Sequence, residues 1–184
     1  MTSNFLRNPF FRFLVLSISL YLSWNVLYEF YLRPHTNFDK VVIDTLVRWA
    51  ESTLQAIGYD TTDYSAADVT FREHIGIVGS KGVTIGAPCD GVVLYVLFIF
   101  FVLSFPGPLK HKVWFIPIGA FSVFYLNVLR IVGLAMIMKV NESWLAFNHD
   151  YTFTIIVYAY VFLLWMIWVK RFSPFAHRVK TSAA

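Results

Sequence analysis

Charge and cysteine are what this sequence has least of. Only 14% of its 184 residues are Asp, Glu, Lys or Arg, against about 25% in an ordinary soluble domain. That shortage, beside 58% hydrophobic residues and a mean hydropathy of +0.61, excludes a cytosolic globular enzyme, a disordered tail and a nucleic-acid-binding module, because a water-soluble fold of this size cannot hide so much apolar surface. A single cysteine excludes an intramolecular disulfide and a Cys-rich zinc site. Internal repeats and low-complexity tracts are missing, which excludes a solenoid. There is no Gly-x-Ser-x-Gly, so serine-nucleophile chemistry has no anchor.

What is present is hydrophobic length. A spanning helix needs about 20 mostly apolar residues, and four segments approach that, at about 10–32, 89–105, 113–138 and 150–169. The first lacks a small-residue cleavage site and ends in Tyr28, Tyr31 and Leu32, which reads as a retained anchor rather than a signal peptide. The pI near 9.2 reflects membrane topology. Arg7 and Arg12 precede the first span, Lys110 and Lys112 separate the second and third, and Lys170, Arg171, Arg178 and Lys180 follow the fourth, with no Asp or Glu among them. Basic flanks favour the cytoplasmic side, so both termini are expected inside, with segments 33–88 and 139–149 outside. Trp165 and Trp168 fit an inner aromatic belt, and Trp24, Tyr28 and Tyr31 an outer one. The expected fold is therefore an all-α integral membrane protein, one membrane domain over 1–184, with a four-helix bundle and an outer insert over about 33–88.

That insert has two parts. Phe38, Val41, Val42, Leu46, Trp49, Ala50, Leu54 and Ile57 recur at helical spacing, which predicts an amphipathic helix capped by Asn37 and stopped by Gly58. After a polar stretch over 60–68, Val69, Phe71, Ile75 and Ile77 alternate, Gly79-Ser80-Lys81-Gly82 signals a turn, and Val83 and Ile85 resume. This predicts a β-hairpin with strands near 69–78 and 83–86, leading into the second span.

Three reactive side chains share one depth. Cys89 follows Pro88 at the outer start of the second span, where a helix N-terminus favours thiolate and offers free N–H groups to an oxyanion. Arg130 lies 17 residues after Val113, about 26 Å along the helix, near the outer boundary of a core about 30 Å thick. A charge there is expensive and by default functional, and Asn127 shares its helix face. His149 opens the fourth span, with Asn148 or Asp150 as its cap. Cys, Arg and His fit a nucleophile, an oxyanion stabiliser and a general acid–base, with Asp90, Asn127 and Asp150 as supporting residues. No His, Cys or acidic pair has metal-ligand spacing, and no cofactor is expected.

The Pro88-Cys89-Asp90-Gly91 segment, Asn127-Val128-Leu129-Arg130 and Asn148-His149-Asp150 with its following aromatic run resemble the exosortase/archaeosortase family of membrane-embedded cysteine transpeptidases, over roughly residues 83–170. The resemblance is greatest to the short forms of Bacteroidetes-type bacteria. Larger members carry about eight spans, so the substrate handling of the additional helices does not transfer. The resemblance implies a bacterial inner-membrane enzyme with its site on the outer face. It implies exported partner proteins ending in a sorting motif, a transmembrane helix and a basic tail, cleaved through a thioester and passed to a surface acceptor. The competing expectation is a non-enzymatic assembly or transport subunit that uses Arg130 to pair with an acidic helix.

Overall fold

The structure is a computed structural model that describes residues 8–62 and 70–173. Arg7, Val69, Arg178, Lys180 and most of the polar stretch before the hairpin lie outside the described residues. The chain is mostly helical. Helix α1 covers Pro9–Leu27 and runs on through a π-turn over Tyr28–Leu32 to His35. It begins where Asn8 accepts the Phe10 amide at 3.0 Å and Pro9 supplies a fixed φ. Helix α2 is Phe38–Ala56, strands β1 and β2 are His74–Ile75 and Val83–Thr84, and helix α3 is Val92–Ser104. Helix α4 is Leu109–Val140. Helix α5 runs from Glu142 to Phe172 and includes a π-turn over Asn148–Thr152.

Three of these helices, α1 with its extension, α4 and α5, are long and apolar enough to cross a membrane. The segment expected as the second span forms only the 13 residues of α3, about 20 Å at 1.5 Å per residue. Its ends explain the shortfall. Gly91 takes φ +77°, a left-handed backbone that glycine adopts at little cost, and Pro106-Gly107-Pro108 forbids continuation at the other end. The outer helices, by contrast, exceed expectation. Helix α4 has 32 residues, and α5 starts at Glu142, where Asn141 caps it by accepting the Ser143 amide. His149 therefore lies inside a helix rather than at its start, and neither Asn148 nor Asp150 is the cap.

The chain divides into two compact units. One comprises the described parts of Met1–Tyr31, Val92–Val123 and Ala159–Ala184. Within it Phe13 of α1 meets Phe101 and Phe105 edge-on, at 5.3 and 5.0 Å between centroids. No residue of α1 over Pro9–Leu27 is buried, and Leu14, Leu16, Ile18, Leu22 and Val26 are exposed, as on a lipid-facing surface. Trp168 is fully buried against Phe115 and Phe172, so it belongs to the packing and not to the expected inner belt.

The other unit is Leu32–Gly91 with Phe124–Tyr158, and it has a conventional apolar core. Ile43, Leu46, Val47, Ala50 and Leu54 of α2 meet Ile75, Ile77, Val83 and Ile85 of the hairpin, and Val128, Ile131, Val132, Leu134 and Ala135 of α4. The buried face of α2 is rotated from the expected one. Ile43 and Val47 are inside, while Val41, Trp49 and Ile57 are exposed, because the hairpin takes the side that pattern alone assigned to a broader stripe. Asn37 makes no capping bond, and Thr36 accepts the Phe38 amide instead. The strands pair antiparallel, His74 with Thr84 and Ile75 with Val83, a shorter ladder than expected. Thr61 bridges to Ile77 on its far side.

The hairpin is tied to α2 by Asp44. Its Oδ1 accepts the Arg72 amide at 3.0 Å and its Oδ2 the Arg48 side chain at 2.8 Å, while Arg72 also pairs with Glu51 at 2.6 Å. Burial pushes the Asp44 carboxyl up, but bonds and charge from Arg48 and Arg72 outweigh it and leave the group below its ordinary value. A depressed acid stabilises the fold above its unfolded pKa, near 3.9, and that contribution disappears as pH falls through the lower folded value. Asp44→Asn keeps the shape, removes the charge, and is expected to cost about 1–2 kcal/mol at neutral pH. The wild-type advantage should shrink in thermal unfolding as pH falls below the unfolded value and through the lower folded one. A penalty that stays unchanged across that fall contradicts the assignment.

Candidate active site

The hairpin delivers residues 86–91 to the core. Ala87–Cys89 form a single 3₁₀ turn in which the Cys89 amide donates to the Gly86 carbonyl at 2.8 Å and the Asp90 amide to Ala87 at 3.3 Å. Gly91 then reverses the chain into α3, which starts only at Val92. Cys89 therefore does not occupy the first turn of an α-helix. The expected dipole assistance is missing, and the amides of Cys89 and Asp90 are consumed within the turn.

The three reactive groups nonetheless meet. Cys89 Sγ lies 2.7 Å from His149 Nε2. His149 Nδ1 lies 2.7 Å from Asp150 Oδ1. Arg130 Nη2 is 3.9 Å from Sγ and 3.5 Å from the His149 carbonyl oxygen. Asn127, fully buried, donates from Nδ2 to the Cys89 carbonyl at 3.1 Å. All six residues expected from sequence are in one unit. Asp150 proves closer to the chemistry than its supporting rank suggested. Its carboxylate holds the Nδ1 proton, which leaves Nε2 as the acceptor facing the thiol. Asp90 is buried and acts on the sulfur through its charge.

The π-turn makes this possible. Its i→i+5 bond, from the Phe153 amide to Asn148, leaves the His149 carbonyl outside the regular ladder, where it accepts from Arg130 and from Thr154 Oγ1 at 3.1 Å. Such single-turn bulges cluster at functional sites, yet Asn148-His149-Asp150 carries no sequence mark of one. Gly133 supplies the close approach on α4, since a Cβ there would fall 2.6 Å from the Phe153 ring.

Electrostatics reverse the sequence expectation for the thiol. Burial pushes Cys89 above its ordinary value, Arg130 pulls it down, and the charges of Asp90 and Asp150 push it up again, against a small lowering from the bond to Gly86. The net direction is upward. An isolated thiolate is thus disfavoured here, and the imidazole at 2.7 Å is the one base in contact with the sulfur among the described residues. Arg130 is 8% exposed, and its Nε, like Asn127 Oδ1, is buried with no hydrogen-bond partner among the described residues.

His74 stands apart, with Nδ1 at 3.0 Å from Thr84 Oγ1 and Nε2 at 3.2 Å from the Lys81 carbonyl. Among the described residues no group of three His, Cys, Asp or Glu is arranged to hold a metal ion. No protein-family model, curated protein or solved structure matches the chain.

This geometry fixes how Cys89 should alkylate. With the imidazole removed, only the raised thiol remains, so His149→Ala should move the alkaline limb of iodoacetamide labelling about one pH unit upward. Arg130→Gln should move it in the same direction by removing the charge that lowers the thiol. Labelling profiles that coincide for wild type and both variants are incompatible with the pairing.

Proposed function

We propose that the chain is a membrane-embedded cysteine transpeptidase or protease of the exosortase/archaeosortase type. It cleaves the C-terminal sorting signal of exported, membrane-anchored proteins and transfers the new C-terminus to a surface acceptor. The observation that carries this reading is the Cys89–His149–Asp150 chain of 2.7 Å contacts with Arg130 beside the sulfur.

The chemistry follows from the donors and acceptors. The thiol proton passes to Nε2, and the thiolate attacks the scissile carbonyl carbon. Negative charge develops on the carbonyl oxygen, and Arg130 stabilises it. Its Nη2, 3.9 Å from the sulfur, is the donor for that task, since the amides of the Cys89 turn are already bonded. The tetrahedral adduct collapses as His149 protonates the leaving amine, and a thioester on Cys89 remains. The acceptor, an amine or water, then loses its proton to His149 as it attacks the thioester, and the sulfur leaves. Asp150 holds the ring in the required tautomer and stabilises the imidazolium at each step. Asn127 steadies the nucleophile's backbone through the Cys89 carbonyl.

The membrane setting fits the same reading. Basic flanks support an orientation with both termini in the cytoplasm and the site on the outer face, and the family resemblance supports a bacterial inner membrane. Helix α3, about 20 Å long, completes a fourth crossing with local thinning of the bilayer. A substrate tethered by its own helix diffuses laterally and presents its juxtamembrane peptide at that depth.

Cys89→Ala, Arg130→Ala and His149→Ala should each insert normally and each lower processing by about 10³-fold or more. Asp150→Asn should lower it less, by about 10²-fold, through kcat rather than KM. Mass spectrometry of enzyme quenched during turnover should find the substrate acyl group on Cys89. Processing by Cys89→Ala at the wild-type rate would end the proposal.

A further inference from the structure

A second site lies far along the sequence from Cys89, within the other unit. The first two turns of α1, the end of α3 and the start of α4 enclose a cleft of about 570 Å³. Its polar lining is Arg12, Ser19, Ser104 and Lys112, and its walls include Phe13, Leu16 and Phe105. No acidic residue lines it.

Two of its polar residues are set as if for an absent partner. Lys112 is 9% exposed, and its Nζ donates to the Leu103 carbonyl at 2.6 Å, which leaves two of three ammonium protons for another acceptor. Ser104 is 8% exposed, and its Oγ has no partner among the described residues. A serine within a helix often bonds a carbonyl one turn back, as Ser122 does to Gly119. Ser104 does not, although it faces the cleft. Arg12 is exposed. The starts of α1 and α4 add partial positive charge from two directions. A buried cation, an exposed cation, an unsatisfied hydroxyl and two helix N-termini recognise an oxyanion, and the surrounding aromatic and aliphatic walls recognise hydrocarbon.

We propose that this cleft binds the phosphate headgroup of an anionic phospholipid, with Lys112, Arg12 and Ser104 on the phosphate oxygens and an acyl chain along Phe13 and Leu16. The volume suits a headgroup, and α1 exposes Leu14, Val15, Leu16 and Ile18 for the chain to follow. The same charge repels a basic tail, so the cleft is not where a sorting signal's basic cluster docks. The inference is independent of any peptidase activity.

Full-length protein in a neutral detergent is titrated with phosphatidylglycerol or phosphatidylcholine and followed by native mass spectrometry and thermal unfolding. Phosphatidylglycerol should bind about tenfold more tightly and raise the melting temperature, since each basic contact is worth about fivefold. Arg12→Gln alters an exposed side chain and leaves the fold intact. It should weaken phosphatidylglycerol about fivefold and narrow its advantage over phosphatidylcholine, whose choline already offsets the phosphate charge, and Ser104→Ala should weaken phosphatidylglycerol further. Equal binding of the two lipids, or full preference in Arg12→Gln and Lys112→Gln, overturns the site. Inorganic phosphate at about 10 mM, where each basic contact again counts, should give no comparable shift. A shift equal to that of the lipid overturns the lipid assignment in favour of a soluble anion.

Discussion

A buried thiol can react only if its proton has somewhere to go. Around Cys89 that constraint is met by one contact, the 2.7 Å approach of Sγ to His149 Nε2. Burial and the carboxylates of Asp90 and Asp150 hold the thiol protonated, and only Arg130 and a backbone bond oppose them. With the imidazole in place, the relevant equilibrium is transfer between two atoms already in contact, and the guanidinium 3.9 Å from the sulfur favours the charged pair at a dielectric well below that of water. Asp150 touches both partners: its charge disfavours the thiolate, and its Oδ1 lies 2.7 Å from His149 Nδ1.

Holding these groups at contact distance falls to a core of a kind more familiar in soluble proteins. Cys89 is itself part of that cluster, beside Ile85 of the hairpin and Val128 and Ile131 of α4. The amphipathic helix α2 lies over the hairpin, and Asp44 fastens the two through the Arg72 amide. Displacing the hairpin would move the 3₁₀ turn and with it the sulfur, and errors near 1 Å are costly in such sites. The insert between the first two apolar segments is therefore the frame of the site.

That Cys89, Arg130 and His149 come together was legible because charged and polar residues stand out within apolar segments, and the charge pattern of the flanks led to the expectation of one depth without using them. The amphipathic helix, the hairpin turn and three of the long apolar helices were legible from periodicity and length. What escaped the sequence depended on backbone detail. Pro88 suggested a helix start, but Gly91 separates the cysteine from α3, which removes the dipole, and burial carries the thiol's shift upward. Asn148 and Asp150 have capping chemistry, yet Asn141 caps the helix seven residues earlier, and the π-turn that exposes the His149 carbonyl has no composition of its own. Val47 and Ile43 outrank Val41 and Trp49 in burial because the hairpin's position decides which part of a wide apolar stripe is covered. Trp168 beside Lys170 suggested an interfacial ring, and packing against Phe115 took it instead.

A lone buried cysteine is most often a small inert hydrophobe, and the surroundings of Cys89 differ from the usual ones of such a residue. An inert thiol sits among methyl groups at no cost to its neighbours. The neighbours of Cys89 include a guanidinium that is 8% exposed and an amide that is fully buried. Each keeps one polar atom, Arg130 Nε and Asn127 Oδ1, without a partner among the described residues. Each such atom costs roughly 1–3 kcal/mol, a large fraction of the margin by which a fold is stable. Leucine at either position would remove that cost but also the bond to the Cys89 or His149 carbonyl. These two open atoms, together with the Sγ–Nε2 contact, set this cysteine apart from one buried among methyl groups alone.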